Sequence, residues 1–249
     1  MNYILLPVYN EEKSLVELFD SYIRVGFDKN SHKIVLVDDG STDSTVKIVK
    51  KYQEKLPINL IRHEKNLGLG KAISTGFSNI GKTLQNGDVI ITLDADNTHP
   101  LELIPVMLEE IRNGSDIVVA SRYCDGGKET GVKFYRKLLS LCANNLLRIL
   151  FPHRPLRDYS SGYRAYSGKI ILLYKNKLNL KLAEETGFSV MAEIIIKLSM
   201  LNPVVSEIPL ELKYMNKIGK SKIKILQTIK RYIVLILKLR RMKKSLQNS

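Results

Sequence analysis

The chain has 249 residues, 44% apolar and 26% charged, the composition of a folded globular protein and not of a disordered one. That length suits one large α/β domain or two small ones. The net charge of +14 is concentrated at one end: no acidic residue follows Glu211, and twelve Lys and Arg residues lie between Lys213 and Lys244. The rest of the chain is close to neutral, so the sequence predicts a basic tail that engages the phosphates of a membrane surface or of nucleic acid.

Two cysteines, Cys124 and Cys142, lack metal-ligand spacing, and the four histidines are scattered. A reduced cytosolic setting without structural zinc fits that pattern. The N-terminus runs straight into strand-like Tyr3-Ile4-Leu5-Leu6, with neither a basic leader nor a signal-peptide core. No apolar run approaches the roughly 20 residues needed to span a bilayer.

In chain order, residues 3–8 read as a strand closed by Pro7, followed by a helix that Asn10 caps and that runs to about Gly26. Residues 33–37 are a second buried strand, ending in Asp38-Asp39-Gly40-Ser41-Thr42-Asp43. Thr42 or Asp43 caps a helix over about 44–55. A third strand spans 58–62, and the loop His63–Gly70 leads into a helix over about 69–84. A fourth strand, 89–93, ends in Asp94-Ala95-Asp96-Asn97-Thr98-His99-Pro100. A helix over 101–112 and a strand over 116–121 follow. Four repeats of strand and helix predict a parallel, doubly wound sheet.

After Arg122 the pattern changes. Residues 136–151 are helical with an apolar stripe, and a polar, aromatic stretch covers Asp158–Arg164. Further elements are a helix over about 187–200 that carries Glu193 among apolar residues, a strand over 204–208, and a basic amphipathic helix over 222–243.

Ligands bind outside the carboxyl ends of strands in an open α/β sheet. Asp94 and Asp96 therefore stand at the mouth of a crevice. One intervening residue turns both carboxylates to one side, where a hard divalent cation could bridge them to a diphosphate. Each strand end carries such a polar cluster: PVYNEE, DDGSTD, HEKNLGLGKA, DADNTHP and SRY.

This set resembles the family 2 glycosyltransferases, which bind nucleotide sugars on a GT-A fold. Arg136, Ser140 and Asn144 at four-residue spacing, SSGYR, the Glu193 helix, EIP at 207–209 and Gly219-Lys220-Ser221-Lys222 resemble the dolichol-phosphate mannose synthase branch. The resemblance covers roughly residues 3–222 and implies a Rossmann-like, mostly parallel sheet with flanking helices. It implies that Pro7, Tyr9, Glu11, Val37, Asp39, Ala95 and Lys222 hold the donor nucleotide. Asp94, Asp96 and Thr98 would hold Mg2+ or Mn2+, and Arg122 would join Asp94 and Asp96 in stabilising the departing diphosphate. Arg136, Ser161, Arg164 and Lys222 would serve the acceptor phosphate. Thr98 stands where the family commonly has Gln, and Asn216 where it has Arg, so the donor lies between GDP-mannose and UDP-glucose.

The expected reaction is inverting sugar transfer to a polyprenyl phosphate, which is anionic near neutral pH and needs no strong base. Residues 1–221 form the catalytic domain in this reading, with 136–151 as an interface helix and 222–249 as a basic membrane-surface tail. The chain stops at Ser249 without the membrane-spanning helices of many relatives. It is therefore expected to be peripheral on the cytoplasmic face of a membrane, or to rely on a membrane-protein partner. Gly68 and Gly70 read either as a phosphate cradle or as the packing of a loop against the fourth strand. Glu193, costly to bury alone, is expected to pair with Arg164 or Lys222. Rival readings are a soluble transferase acting on a polysaccharide, a nucleotidyltransferase and a nucleic-acid-binding module. The last leaves the strand-end carboxylates unexplained, and nucleic acid is not an expected partner.

Overall fold

The computed structural model describes residues 1–132, 134–178, 181–214 and 225–247. Nine strands among them are β1 (Asn2–Val8), β2 (His32–Asp38), β3 (Ile58–Arg62), β4 (Val89–Thr92), β5 (Ile117–Ser121), β6 (Lys128–Thr130), β7 (Arg164–Ser167), β8 (Val205–Pro209) and β9 (Glu211–Lys213). Eight helices are α1 (Glu12–Val25), α2 (Thr45–Tyr52), α3 (Leu69–Ile80), α4 (Leu103–Arg112), α5 (Phe134–Leu150), α6 (Gly168–Leu178), α7 (Val190–Ser199) and α8 (Ile225–Gln247).

Seven strands form one sheet in the order β3-β2-β1-β4-β7-β5-β8, and β6 pairs with β9 separately. All pairs in the large sheet are parallel except those of β7, which runs antiparallel between β4 and β5. The sheet is thus mostly parallel, as the resemblance implied, with β7 its one antiparallel strand among the described residues. Arg164 opens β7 and hides it in sequence, because a charge breaks the apolar run that marks a central strand. All four β7 residues are nevertheless buried.

The pleat divides the core in two. Leu5, Val35, Val37, Ile90, Val119 and Tyr166 face Ile73 and Phe77 of α3 and the apolar side of α7. Ile4, Leu6, Leu36, Ile91, Val118 and Ala165 face Leu15 and Phe19 of α1 and Ile104 and Met107 of α4. Pro7 does not close β1: it pairs with Val37, while the ladder to β4 stops at Leu5. Only β2 flanks it there, so a missing N–H is tolerated. The crossing order places the carboxyl ends of β2, β1 and β4 side by side, which is where the site is built.

Candidate active site

The loops after β1 and β2 are stitched together by short polar side chains. Asn10, at φ 51°, turns the chain out of β1. Its Oδ1 accepts the Thr42 N–H at 2.9 Å, and Ser41 Oγ accepts the Asn10 N–H at 2.9 Å. The Glu11 N–H donates to Thr45 Oγ1 at 2.9 Å, and Ser14 Oγ donates to Glu11 Oε2 at 2.7 Å. Asn10 is therefore a cross-link between loops and not the cap of α1, whose N-cap position is Glu11. Tyr9, Pro7 and Glu11 are half-buried along this rim, while Val37 is wholly buried in β2.

Asp39 directly follows β2 and is held by three groups. His63 Nδ1 lies 2.7 Å from its Oδ1, the Leu67 N–H donates at 3.0 Å and the Gly68 N–H at 2.8 Å. The His63 Nε2 reaches Thr75 Oγ1 at 3.0 Å. Asp39 thus fixes the whole 63–68 loop beside β2. The next residue must be glycine: Gly40 sits at φ 74°, and a Cβ there would lie 2.4 Å from the Lys65 backbone carbon.

At Gly70 an added Cβ would lie 1.7 Å from the Glu185 carbonyl oxygen, and the Gly70 N–H donates to Thr186 O at 3.1 Å. Of the two readings of this glycine pair, the structure shows close packing, against the loop before α7 and not against β4.

β4 delivers the two carboxylates. Asp94 is half-buried and Asp96 buried, with Ala95 buried between them. Thr98 is buried too, and its Oγ1 donates to Asp96 Oδ1 at 2.6 Å while its N–H donates to the same oxygen at 3.2 Å. His99 Nδ1 accepts the Asp94 N–H at 3.0 Å, which leaves the ring proton on Nε2, and the ring stacks on Tyr163 with centroids 4.9 Å apart. Thr92 Oγ1 donates to Gly162 O at 2.8 Å, bringing Gly162 alongside Asp94. Among the described residues, no three or more His, Cys, Asp or Glu side chains group as metal ligands. The donor set that Asp94, Asp96 and Thr98 offer is made of hard oxygens, which fits Mg2+ or Mn2+ and not a soft metal.

Arg122, just past β5, meets Asp158 through two bonds of 2.9 Å, and its Nη2 donates to Ser160 Oγ at 2.7 Å. Glu129 Oε2 stands 3.6 Å from Nη1. Burial opposes the Arg122 charge, but Asp158 outweighs it and holds the guanidinium firmly protonated. Asp158 also accepts the N–H groups of Ser160 and Ser161 at 3.1 and 2.9 Å. Ser161 itself donates to Ala120 O at 2.8 Å and is buried.

Asn144 of α5 completes the cluster, donating to Ser160 Oγ at 2.9 Å and accepting the Tyr159 N–H at 2.7 Å. Ser140 accepts the Tyr123 hydroxyl at 3.0 Å. Sequence spacing singled out Ser140 and Asn144 but not their tasks: Asn144 ties α5 to the 157–161 loop, and Ser140 ties it to Tyr123 after β5.

Two expectations are corrected. Arg164 is fully buried, and its fork donates to the carbonyls of Tyr159, at 2.8 Å, and Met191. With no exposed surface it serves as a strut between loops and not as an acceptor-phosphate contact. Glu193 does not pair with Arg164: Lys197 Nζ lies 2.8 Å from its Oε1, and its Oε2 accepts the N–H groups of Glu184 and Glu185, both at 2.8 Å. Lys222 lies outside the described residues, and Arg136 falls on α5 with only its backbone described.

A sequence model described as Glycosyl transferase family 2 matches residues 3–172. Over 195 residues the chain is 38% identical to the dolichol-phosphate mannosyltransferase of Pyrococcus furiosus, covering 78% of this chain and 52% of that protein. It is 29% identical to the polyprenol monophosphomannose synthase of Mycolicibacterium smegmatis, over 74% of this chain and 67% of that one. It therefore spans about half the length of the first of these relatives.

Among solved structures, glucosyl-3-phosphoglycerate synthase from Mycobacterium tuberculosis bound to UDP superposes with a TM-score of 0.67 at 17% identity, covering 96% of this chain and 79% of that one. The same enzyme with Mn2+, UDP and phosphoglyceric acid gives 0.66 at 18%, covering 96% and 78%. These likenesses show the fold, which is GT-A as expected.

Proposed function

The chain belongs to glycosyl transferase family 2, and we propose that it transfers a sugar, mannose from GDP-mannose, onto a polyprenyl phosphate. The observation that carries this reading is the end of β4: Asp94 and Asp96 flank Ala95 at the rim of the β2-β1-β4 crevice, with the Thr98 hydroxyl bonded to Asp96 at 2.6 Å. A divalent cation held there would supply positive charge to the departing nucleoside diphosphate. Asp94 and Asp96 would hold it, with the Thr98 hydroxyl orienting Asp96.

Pro7, Tyr9 and Glu11, with Val37 through its backbone, flank the nucleoside, and Asp39 holds the 63–68 loop over it. Arg122, its charge shared with Asp158 and Glu129, would join the cation in offsetting the charge of the departing diphosphate. The phosphate oxygen of the acceptor forms the new bond at the anomeric carbon. The bond from that carbon to the diphosphate breaks with its electron pair leaving on the diphosphate, and the configuration inverts. An anionic acceptor explains why neither His63 nor His99 is poised as a base: both are committed to local hydrogen bonds.

The polyprenyl acceptor is favoured by the two relatives above and by α5, whose outer face exposes Phe134, Leu138, Leu146 and Ile149. We read α5 as lying at a membrane surface, with the basic α8 segment beside it. No helix of the described residues is long and apolar enough to cross a membrane. A second donor reading, a UDP sugar, draws on the 29% identical UDP-N-acetylglucosamine–dolichyl-phosphate N-acetylglucosaminyltransferase of Methanococcus voltae, which covers 85% of both chains.

The test is Asp94→Asn and Asp96→Asn. Each keeps its circular dichroism spectrum and loses Mn2+ binding, with transfer reduced by roughly 10²–10³-fold. Near-normal transfer in either variant removes the metal-diphosphate reading.

A further inference from the structure

The reading of α5 as a membrane-surface helix leaves a neighbouring feature unused. A cavity of about 450 Å³ opens at the C-terminal end of α5, lined by Arg148, His153, Arg154, Arg157 and Tyr159. Three arginines converge there, two of them without a compensating carboxylate among the described residues. Among the described residues, no carboxylate stands within ion-pair distance of Arg148 or Arg154. Arg157 meets only Asp125, at 3.0 Å, whose side chain is 98% exposed. Such a pair in water contributes little and exchanges readily for another anion.

The apolar side of α5 continues to the edge of this cavity. Its inward face, Asn144, Leu147 and Phe151, is buried against the domain. Its outward face carries Leu139, Leu146 and Ile149, 76% exposed at Ile149, one residue after Arg148. An exposed apolar stripe ending in a cluster of guanidinium groups matches a molecule with a hydrocarbon body and an anionic head.

We propose that this cavity is a headgroup site for an anionic phospholipid, its phosphodiester held by Arg148 and Arg154 and its acyl chains lying along Ile149 and Leu146. The proposal rests on the membrane-surface reading of α5. It is distinct from the cluster of Arg122, Asp158 and Ser160 described above. The lipid bound here is not consumed: it fixes the angle at which α5, and through Asn144 the 157–161 loop, meets the bilayer.

The experiment is co-sedimentation of the full chain with phosphatidylcholine vesicles, with and without phosphatidylglycerol. Arg148→Ala/Arg154→Ala is compared with Lys175→Ala/Lys177→Ala, which removes equal charge from exposed positions on α6. Expected is a loss of about fivefold in affinity per arginine for the phosphatidylglycerol vesicles, with the lysine variant bound as wild type. Transfer to polyprenyl phosphate in detergent stays at the wild-type level in the arginine variant.

Unchanged vesicle affinity in the arginine variant overturns the proposal, and so does an equal loss in both variants, which would mark bulk charge. Lost transfer in detergent also overturns it, by placing the cavity in the acceptor path. If wild type transfers no sugar at all, the functional reading fails, while the vesicle comparison still decides this site.

Discussion

Asp158 receives Arg122 through a two-point fork, Nε to Oδ2 and Nη2 to Oδ1, both 2.9 Å. Burial alone would raise the Asp158 carboxyl, but the Arg122 charge and its hydrogen bonds outweigh burial and hold it below its ordinary value of 3.8. A carboxyl depressed in the folded state contributes stability above its unfolded pKa and loses it as pH falls through the folded one. Denaturant midpoints measured against pH are therefore expected to hold above about pH 4 and to fall below it. Asp158→Asn leaves Arg122 buried without its partner. It should lower stability at neutral pH by about 3–5 kcal/mol and flatten the acid limb.

A second buried pair anchors the far side of the domain. Lys197 and Glu193 are both fully buried, and Lys197 also meets Glu184 Oε2 at 2.7 Å. Lys238 of α8 reaches that same Glu184 oxygen at 3.0 Å. Lys197→Met leaves the Glu193 carboxylate with only the more distant Lys238 cation, 3.9 Å away, and is expected to cost about 3–5 kcal/mol, read by urea unfolding. Lys238→Ala removes only a half-exposed contact and should cost less than about 1 kcal/mol.

Gly70 meets the Glu185 carbonyl too closely for any side chain. Gly70→Ala is expected to destabilise by at least about 1–3 kcal/mol through overpacking. Gly87→Ala, where an added Cβ meets nothing within 4 Å, should be near neutral. Thermal unfolding of the pair separates packing from a general intolerance of substitution.

Strands β1 to β5 were legible because each centres on apolar residues and is followed by polar ones, whereas the three-residue β6 and β9 carry no such run. Asp94 and Asp96 were legible for the same reason, since a strand end is a place as well as a boundary. β7 was not: Arg164 is a charge whose burial is made possible by carbonyls of Tyr159 and Met191, one of them 27 residues away. The bond from Asp39 to His63 spans 24 residues, a loop closure that no local spacing announces. Glu193 carried its partner four residues on, in plain view on the same helix.

Thr98 offers a test of the Asp96 geometry. Thr98→Val keeps the shape and removes the hydroxyl that donates to Asp96 Oδ1. Mn2+ affinity, measured by calorimetry with the nucleoside diphosphate present, is expected to fall by about 10–100-fold. Thr98→Ser should retain it, and excess Mn2+ should restore transfer in Thr98→Val.

The most direct test is transfer of radiolabel from GDP-mannose, with UDP-glucose in parallel, into organic-extractable product. The reaction contains polyprenyl phosphate, detergent and Mg2+ or Mn2+. The account predicts lipid-soluble label from GDP-mannose that depends on the divalent cation. Label only from UDP-glucose keeps the mechanism and changes the donor, whereas no lipid-soluble label from either donor contradicts the lipid-phosphate acceptor.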